Sequence, residues 1–355
     1  MNITFILGNG FDRNLNLSTD YQSFYSYYSS LPSKGEYAES IAKLKSELGD
    51  FIKREIRGGD DDTQKIDWSD LELGLGKYAK EFQSEAEFEA VYYDLRDSLK
   101  DYLRGQEKIA SLINAIDKET FFDDLTKPEQ YLQQDEQAQL LASKQAWGNK
   151  QYDIRVLTFN YTRTFEYLIG EDIDYDLISG CKVKVHDVMH VHRLIDQLIL
   201  GVNDVSQIEN SGLSSLQFVL DTLVKPNHCR TYADSHSTQC VEYINRADLI
   251  VLYGASIGDT DRRWWQAITN LFRQKNSARL ILFWYEKDYH DYQNEGPRRV
   301  RAERIQRDNL MTKMGLSRSE KEAYRSRIYV HLIRKERRIF NLPHVPVVLD
   351  LKLDE

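Results

Sequence analysis

Four stretches of the chain carry groups with chemistry to offer: "GNGFD" at 8–12, "FNYT" at 159–162, "HDVMHVH" at 186–192 and "YGASIGDTD" at 253–261. Gly8 and Gly10 tolerate backbone shapes barred to other residues, and with Asn9 between them they could turn amide hydrogens toward a phosphate. A bare Gly-x-Gly equally suits a plain strand-to-helix turn, and taken alone it favours the turn. Asn160 ends an apolar run, where its amide can hold a ribose hydroxyl or a water, or bond its own backbone in a turn. His186, His190 and His192 fall on one face if the segment is a strand. Imidazole titrates near neutral pH and suits a general base, so one working histidine, with the other two packed or at the surface, is favoured. A metal is disfavoured, because neither HExxH nor a His-x-His-x-Asp-His pattern is present and Asp196 comes too late. In "GDTDRRWW", Asp259 or Thr260 is expected to cap a helix that buries Trp264 and Trp265. "DWSDLELG" at 67–74 reads as another helix start, with Asp67 or Ser69 at its cap.

The elements that must position these groups follow from apolar patterning. Short, continuous, β-rich runs predict buried strands at 2–8, 153–160, 248–256, 278–286 and 327–333. "KVKVHDVMHVH", "LILGVND" and "VPVVLDLKL" read as further strands. Between residues 20 and 145 the spacing turns to 3.6-type with dense mixed charge, which predicts helices. "TRTFEYLIG" is expected to start a helix with Thr162 at the N-cap and Gly170 at the stop. Strands alternating with helices imply an α/β, Rossmann-like fold with a mostly parallel sheet, and a large helical insertion after the first strand. The expected division is an α/β core of 1–20 and 151–355, interrupted by a helical insertion of 21–150. Ligands of such sheets sit beyond the carboxyl ends of the strands, where the four stretches lie.

Composition narrows the classes. The 355 residues carry a net charge of −9 and are 41% hydrophobic, which suits a soluble chain and argues against a non-specific grip on nucleic acid. The cysteines Cys181, Cys229 and Cys240 are odd in number and form no CxxC, so neither a disulfide framework nor a cysteine zinc site is implied. No run reaches the ~20 apolar residues of a membrane span, and no signal-peptide pattern opens the chain. A cytoplasmic protein with no membrane partner is expected. "NEGPRRVRAERIQRD" at 294–308 and "RKERR" at 334–338 are locally basic and read as solvated surface.

In order along the chain, "ILGNGFDRNLNLSTDYQSFY", "DWSDLELGLGKY", "LTFNYTRTFEYL", "HVHRLIDQLILGVND" and "LYGASIGDTDRRWW" resemble the successive signatures of the phage abortive-infection AbiH family. That family in turn resembles, more distantly, the sirtuin-like NAD-consuming fold. The second resemblance implies NAD as substrate or ligand, with no metal. It places Gly8, Asn9, Gly10, Asp12, Asp20, Gly254, Ser256 and Asp259 at the cofactor and assigns catalysis to Asn160 and His192. Asn160 would orient the ribose or a water, His192 would act as base, and Asp12 or Asp259 would steady an oxocarbenium-like centre. His192 is followed by Arg193 where sirtuin-type chains have Gly, which leaves His190 as the alternative histidine. The implied function is an NAD hydrolase that drains NAD on infection. The alternative is a nucleotide-binding sensor that contacts a phage or host trigger protein through the insertion, and a nuclease ranks below both. Self-association is a further way to keep such an enzyme silent before infection.

Overall fold

The structure, a computed structural model, describes residues 1–57, 66–112, 116–148, 151–177, 180–209, 212–231, 235–286, 294–333 and 339–342. Its strands are β1 (Asn2–Leu7), β2 (Gln151–Thr158), β3 (Asp174–Asp176), β4 (Lys182–Val185), β5 (Met189–His190), β6 (Leu249–Tyr253), β7 (Arg279–Trp284) and β8 (Ile328–Leu332). They form one 8-stranded sheet in the order β3-β4-β2-β1-β6-β7-β8, with β5 also paired to β2. Every pairing is parallel except that of β3 with β4. The fold is therefore α/β with a mostly parallel sheet.

Because strand side chains alternate, the central strands bury both faces. Ile3, Phe5, Leu7, Val251 and Ile281 point into one core with Phe121, Phe122, Leu125 and Leu140. Ile6, Ile250, Leu252 and Leu280 point into the other with Ile244, Trp265, Ile268 and Leu310. A third core is separate from the sheet. It joins Phe24, Leu44, Leu71 and Leu95, on helices between β1 and β2, to Leu198, Leu200, Val202 and Leu223 from beyond β5. The helices Lys118–Thr126 and Gln134–Trp147 instead cover the sheet face.

The register sets the site. Leu7 lies opposite Thr158 on one side and Tyr253 on the other, and Thr158 lies opposite His190. The exits of β1, β2, β5 and β6 are thus neighbours at one sheet edge. The chain builds outward from β1 through β2 to β4, then returns to build β6, β7 and β8 on the other flank, so winding reverses between β1 and β6.

Some expected strands differ. "LILGVND" is no sheet strand: Val202 makes a single bridge to Val224, and its apolar residues are drawn into the helical core rather than the sheet. "KVKVHDVMHVH" is split into β4 and the two-residue β5, so the expectation that its three histidines share one face is overturned. "VPVVLDLKL" and "RKERR" lie outside the described residues.

At the β1–β6 reversal, glycine is a packing requirement. A Cβ on Gly8 or Gly10 would run into the backbone of Gly254 and Ala255, and Gly254 itself has φ +66° with Gly10 Cα 2.7 Å from where its Cβ would stand. Gly254→Ala is therefore expected to combine left-handed backbone strain of ~1–2 kcal/mol with overpacking of ~1–3 kcal/mol. A fall of that summed size in urea unfolding free energy checks it, and an unchanged midpoint would refute it.

Candidate functional site

The turn after β1 is tied to the turn after β6. The Gly8 amide donates to the Tyr253 carbonyl at 2.9 Å and the Gly10 amide to the Gly254 carbonyl at 2.8 Å. These two N–H groups are therefore spent on backbone and do not face an empty phosphate site. The Asn9 side chain accepts a hydrogen bond from the Thr19 hydroxyl. The six-residue helix Asn9–Asn14 then carries Asp12 inward, where it is 1% exposed.

Asp12 is the centre of a first cluster. Its carboxylate accepts from Asn160 Nδ2 at 2.9 Å and from Thr162 Oγ1 at 2.5 Å, and Thr164 Oγ1 donates to Thr162 Oγ1 at 3.0 Å. Burial pushes Asp12 up from 3.8 to about 6, although Thr162, Thr164, Asn160 and the nearby His190 all favour the charged form. Thr162 is consequently not the expected N-cap; Arg163 occupies that position, and the hydroxyl serves Asp12 instead. His190 bridges onward: its Nδ1 lies 2.9 Å from the Asn160 carbonyl and its Nε2 2.7 Å from Glu166 Oε1. A carbonyl only accepts, so the contact with Asn160 is a hydrogen bond when Nδ1 carries the hydrogen.

A second cluster surrounds His192. Its Nε2 lies 2.9 Å from Asp261 Oδ1. Lys225 Nζ donates to Glu72 Oε2 at 2.8 Å and to Asp261 Oδ1 at 3.3 Å, and lies 3.3 Å from His192 Nε2. Burial works against charge on Asp261, but Lys225 and His192 outweigh it and hold the carboxyl below its ordinary range. Burial likewise opposes the Lys225 ammonium, and Asp261 and Glu72 reverse the effect and raise it. Glu72 is pushed up by burial against the pull of Lys225, so it is the first of the two carboxylates to accept a proton. The four residues come from the β5 exit, the β6 exit, the helix Trp68–Tyr78 and the start of the helix Lys225–Thr231.

The two clusters share a wall. The Tyr161 hydroxyl donates to the Ile199 carbonyl at 3.0 Å, and its ring lies 6.1 Å from that of His192. The Phe159 ring lies 5.5 Å from His192. The β2 exit thus offers Asn160 and Thr162 to Asp12 while its aromatic residues line His192.

The remaining expected residues have other partners. Asp20 caps the helix Tyr21–Ser30 by accepting from the Ser23 amide at 3.2 Å. Ser256 is exposed, and Asp259 is at the surface in a 2.7 Å ion pair with Lys313 rather than capping a helix. Thr260 donates to Ser69 Oγ at 3.3 Å. The cap at Asp67 is as expected: it accepts from the Asp70 amide at 3.0 Å, and Asp70 returns the bond at 2.8 Å. Trp264 and Trp265 are buried. His186 pairs with Asp153 at 3.1 Å, so each histidine of "HDVMHVH" has a carboxylate of its own. Among the described residues no group of three His, Cys, Asp or Glu is arranged to hold a metal. Arg193 is buried and takes φ +69°, the left-handed backbone that glycine adopts without strain, and its charge is felt by His228 and Cys240.

Glu72, Glu166, Lys225 and Asp261 are functional candidates that reading the chain did not single out. Asp261 stood within reach, one residue past the Thr260 weighed as a cap. Glu72 and Lys225 carried no local signal.

A model of the bacteriophage abortive infection AbiH family matches residues 4–284, which span every residue of both clusters. The chain belongs to the AbiH family. No curated protein matches it. The family model stops at the end of β7, so the sheet edge that carries both clusters lies inside the matched region of this AbiH member. Among its described residues no helix is long and apolar enough to cross a membrane.

Proposed function

We propose that this phage abortive-infection protein acts by cleaving the N-glycosidic bond of a nucleotide at this sheet edge, with NAD the first substrate to test. The observation that carries the reading is the convergence of a buried carboxylate, Asp12 on Asn160 and Thr162, with a carboxylate-paired imidazole, His192 on Asp261, at adjoining strand exits. The six parallel strands in the order β4-β2-β1-β6-β7-β8 reproduce the strand order of doubly wound nucleotide-binding sheets, which supports a Rossmann-like reading. In this scheme Asn160 orients the ribose or the attacking water and His192 removes the proton. Asp12, turned anionic above its midpoint near pH 6, steadies positive charge as nicotinamide leaves.

The sensor reading has an observation of its own: the Gly8 and Gly10 amides are engaged with β6, and both Asp12 oxygens are held from within. Two measurements separate the readings. Purified protein, resting and taken from infected cells, is incubated with NAD and assayed for nicotinamide; release supports hydrolysis, and none from either preparation refutes it. His192→Ala and Asn160→Ala are each expected to lower phage protection by about 10²-fold or more, the scale of lost acid–base catalysis. Full protection by both variants would favour the sensor.

A further inference from the structure

The His192 ring has two nitrogens, and only one can act as base. Asp261 Oδ1 sits 2.9 Å from Nε2. An ionised carboxylate only accepts, so this contact is a hydrogen bond only when Nε2 carries the hydrogen. Were Nε2 bare instead, its lone pair would face a carboxylate oxygen in a buried setting. Lys225 Nζ, 3.3 Å from Nε2, also carries hydrogens, and it finds its acceptors in Glu72 and Asp261. Lys225 and Asp261 are thus rivals for the tautomer: Asp261 selects Nε2–H, and Lys225 would select the reverse by donating to a bare Nε2.

We propose that Asp261 is a positioning residue that fixes His192 as the Nε2–H tautomer, so that Nδ1 is the atom that takes the proton. Lys225 and Glu72 anchor this arrangement. Glu72 at 2.8 Å and Asp261 at 3.3 Å together occupy Lys225 and keep it from capturing Nε2, so a residue of the helical body helps guard the state of a residue at the sheet edge. As Nδ1 accepts its proton, the ring becomes an imidazolium, and the Asp261 carboxylate beside Nε2–H offsets the new charge without itself taking a proton. The proposal rests on the hydrolase reading for the use of Nδ1, but the tautomer is a property of the resting protein.

The test uses the full chain labelled with ¹⁵N in histidine, with the His192 signals assigned by their loss in His192→Gln. Long-range ¹H–¹⁵N spectra identify which ring nitrogen bears the hydrogen. The expected wild-type result is Nε2–H; an Nδ1–H ring overturns the proposal without any variant. Asp261→Leu removes both the acceptor of Nε2–H and one of the two carboxylates that engage Lys225, so an ammonium hydrogen is freed toward Nε2, 3.3 Å away, and the ring is expected to convert to Nδ1–H. Phage protection should fall by about 10²-fold or more. A folded Asp261→Leu protein, judged by cooperative unfolding, that keeps Nε2–H or keeps full protection also overturns the proposal. Lys43→Met, which breaks a surface pair with Glu81, serves as the control and should change neither readout. Neither arm uses NAD, so the expected tautomers with lost protection but no NAD cleavage would sink the NAD reading alone.

Discussion

Lys225→Met is expected to destabilise the protein by about 3–5 kcal/mol at neutral pH, the scale of a buried ion pair robbed of one partner. Lys225 is buried and its ammonium touches Glu72 at 2.8 Å and Asp261 at 3.3 Å. Methionine fills the same volume but leaves two buried carboxylates with no cation between them. A carboxylate raised above its unfolded value contributes stability that is present at low pH and lost as pH rises through the folded value. The deficit should therefore be largest above neutrality and shrink toward pH 5 as Glu72, already pushed up by burial, takes a proton. Glu72→Gln combined with Lys225→Met removes one of the two stranded charges and should recover part of the loss. Urea unfolding of the wild type and both variants at pH 5 and 8 decides the matter. Equal stability of Lys225→Met and wild type at pH 8 would mean that the quartet contributes nothing to holding the helical body on the sheet.

Asp12→Asn is expected to act in the opposite direction on stability and to abolish function. Asp12 stands at about 6 in the fold against an ordinary 3.8. That difference corresponds to about 3 kcal/mol of stability present below pH 4 and lost between pH 4 and 6 as the buried group is forced to ionise. Asparagine never ionises, and its amide can still accept from Asn160 while donating to Thr162. The variant should therefore match wild type near pH 4 and exceed it at pH 8 by up to about 3 kcal/mol, less whatever the rearranged hydrogen bonds lose. Its pH dependence should flatten by the Asp12 share alone, since burial also raises Asp124 to about 6 and leaves that slope in place. If the carboxylate serves chemistry, the more stable protein will not protect. A variant that is both more stable and fully protective would place Asp12 among the structural residues.

What could be read from the chain was whatever depends on a few neighbouring residues. Uninterrupted apolar runs such as "ITFIL" and "LIVLY" announce strands buried on both faces, because only a covered parallel sheet removes every side chain of the run from water. The Asp67 cap was legible because a capping carboxylate reaches an amide only three residues on. The place of Asn160 and His192 at strand ends was legible, and the ordered signatures disclosed the family. What no local pattern could decide was which side chains meet. Gly8 and Gly10 read as a turn first and a phosphate cradle second, and it took the pairing of β1 with β6 to bring Gly254 against them and consume their amides. Asp259 and Asp261 are two residues apart in one "DTD", yet one is spent on Lys313 at the surface and the other on buried His192 and Lys225. Glu72 and Lys225 stand 153 positions apart. Their contact exists because the helical body and the sheet fold onto one another, and buried opposite charges are stable there only as partners. Periodicity and caps are written in short-range sterics and hydrogen bonds. The charge network is written in the packing of distant segments, and only the tertiary structure shows which charges share a site.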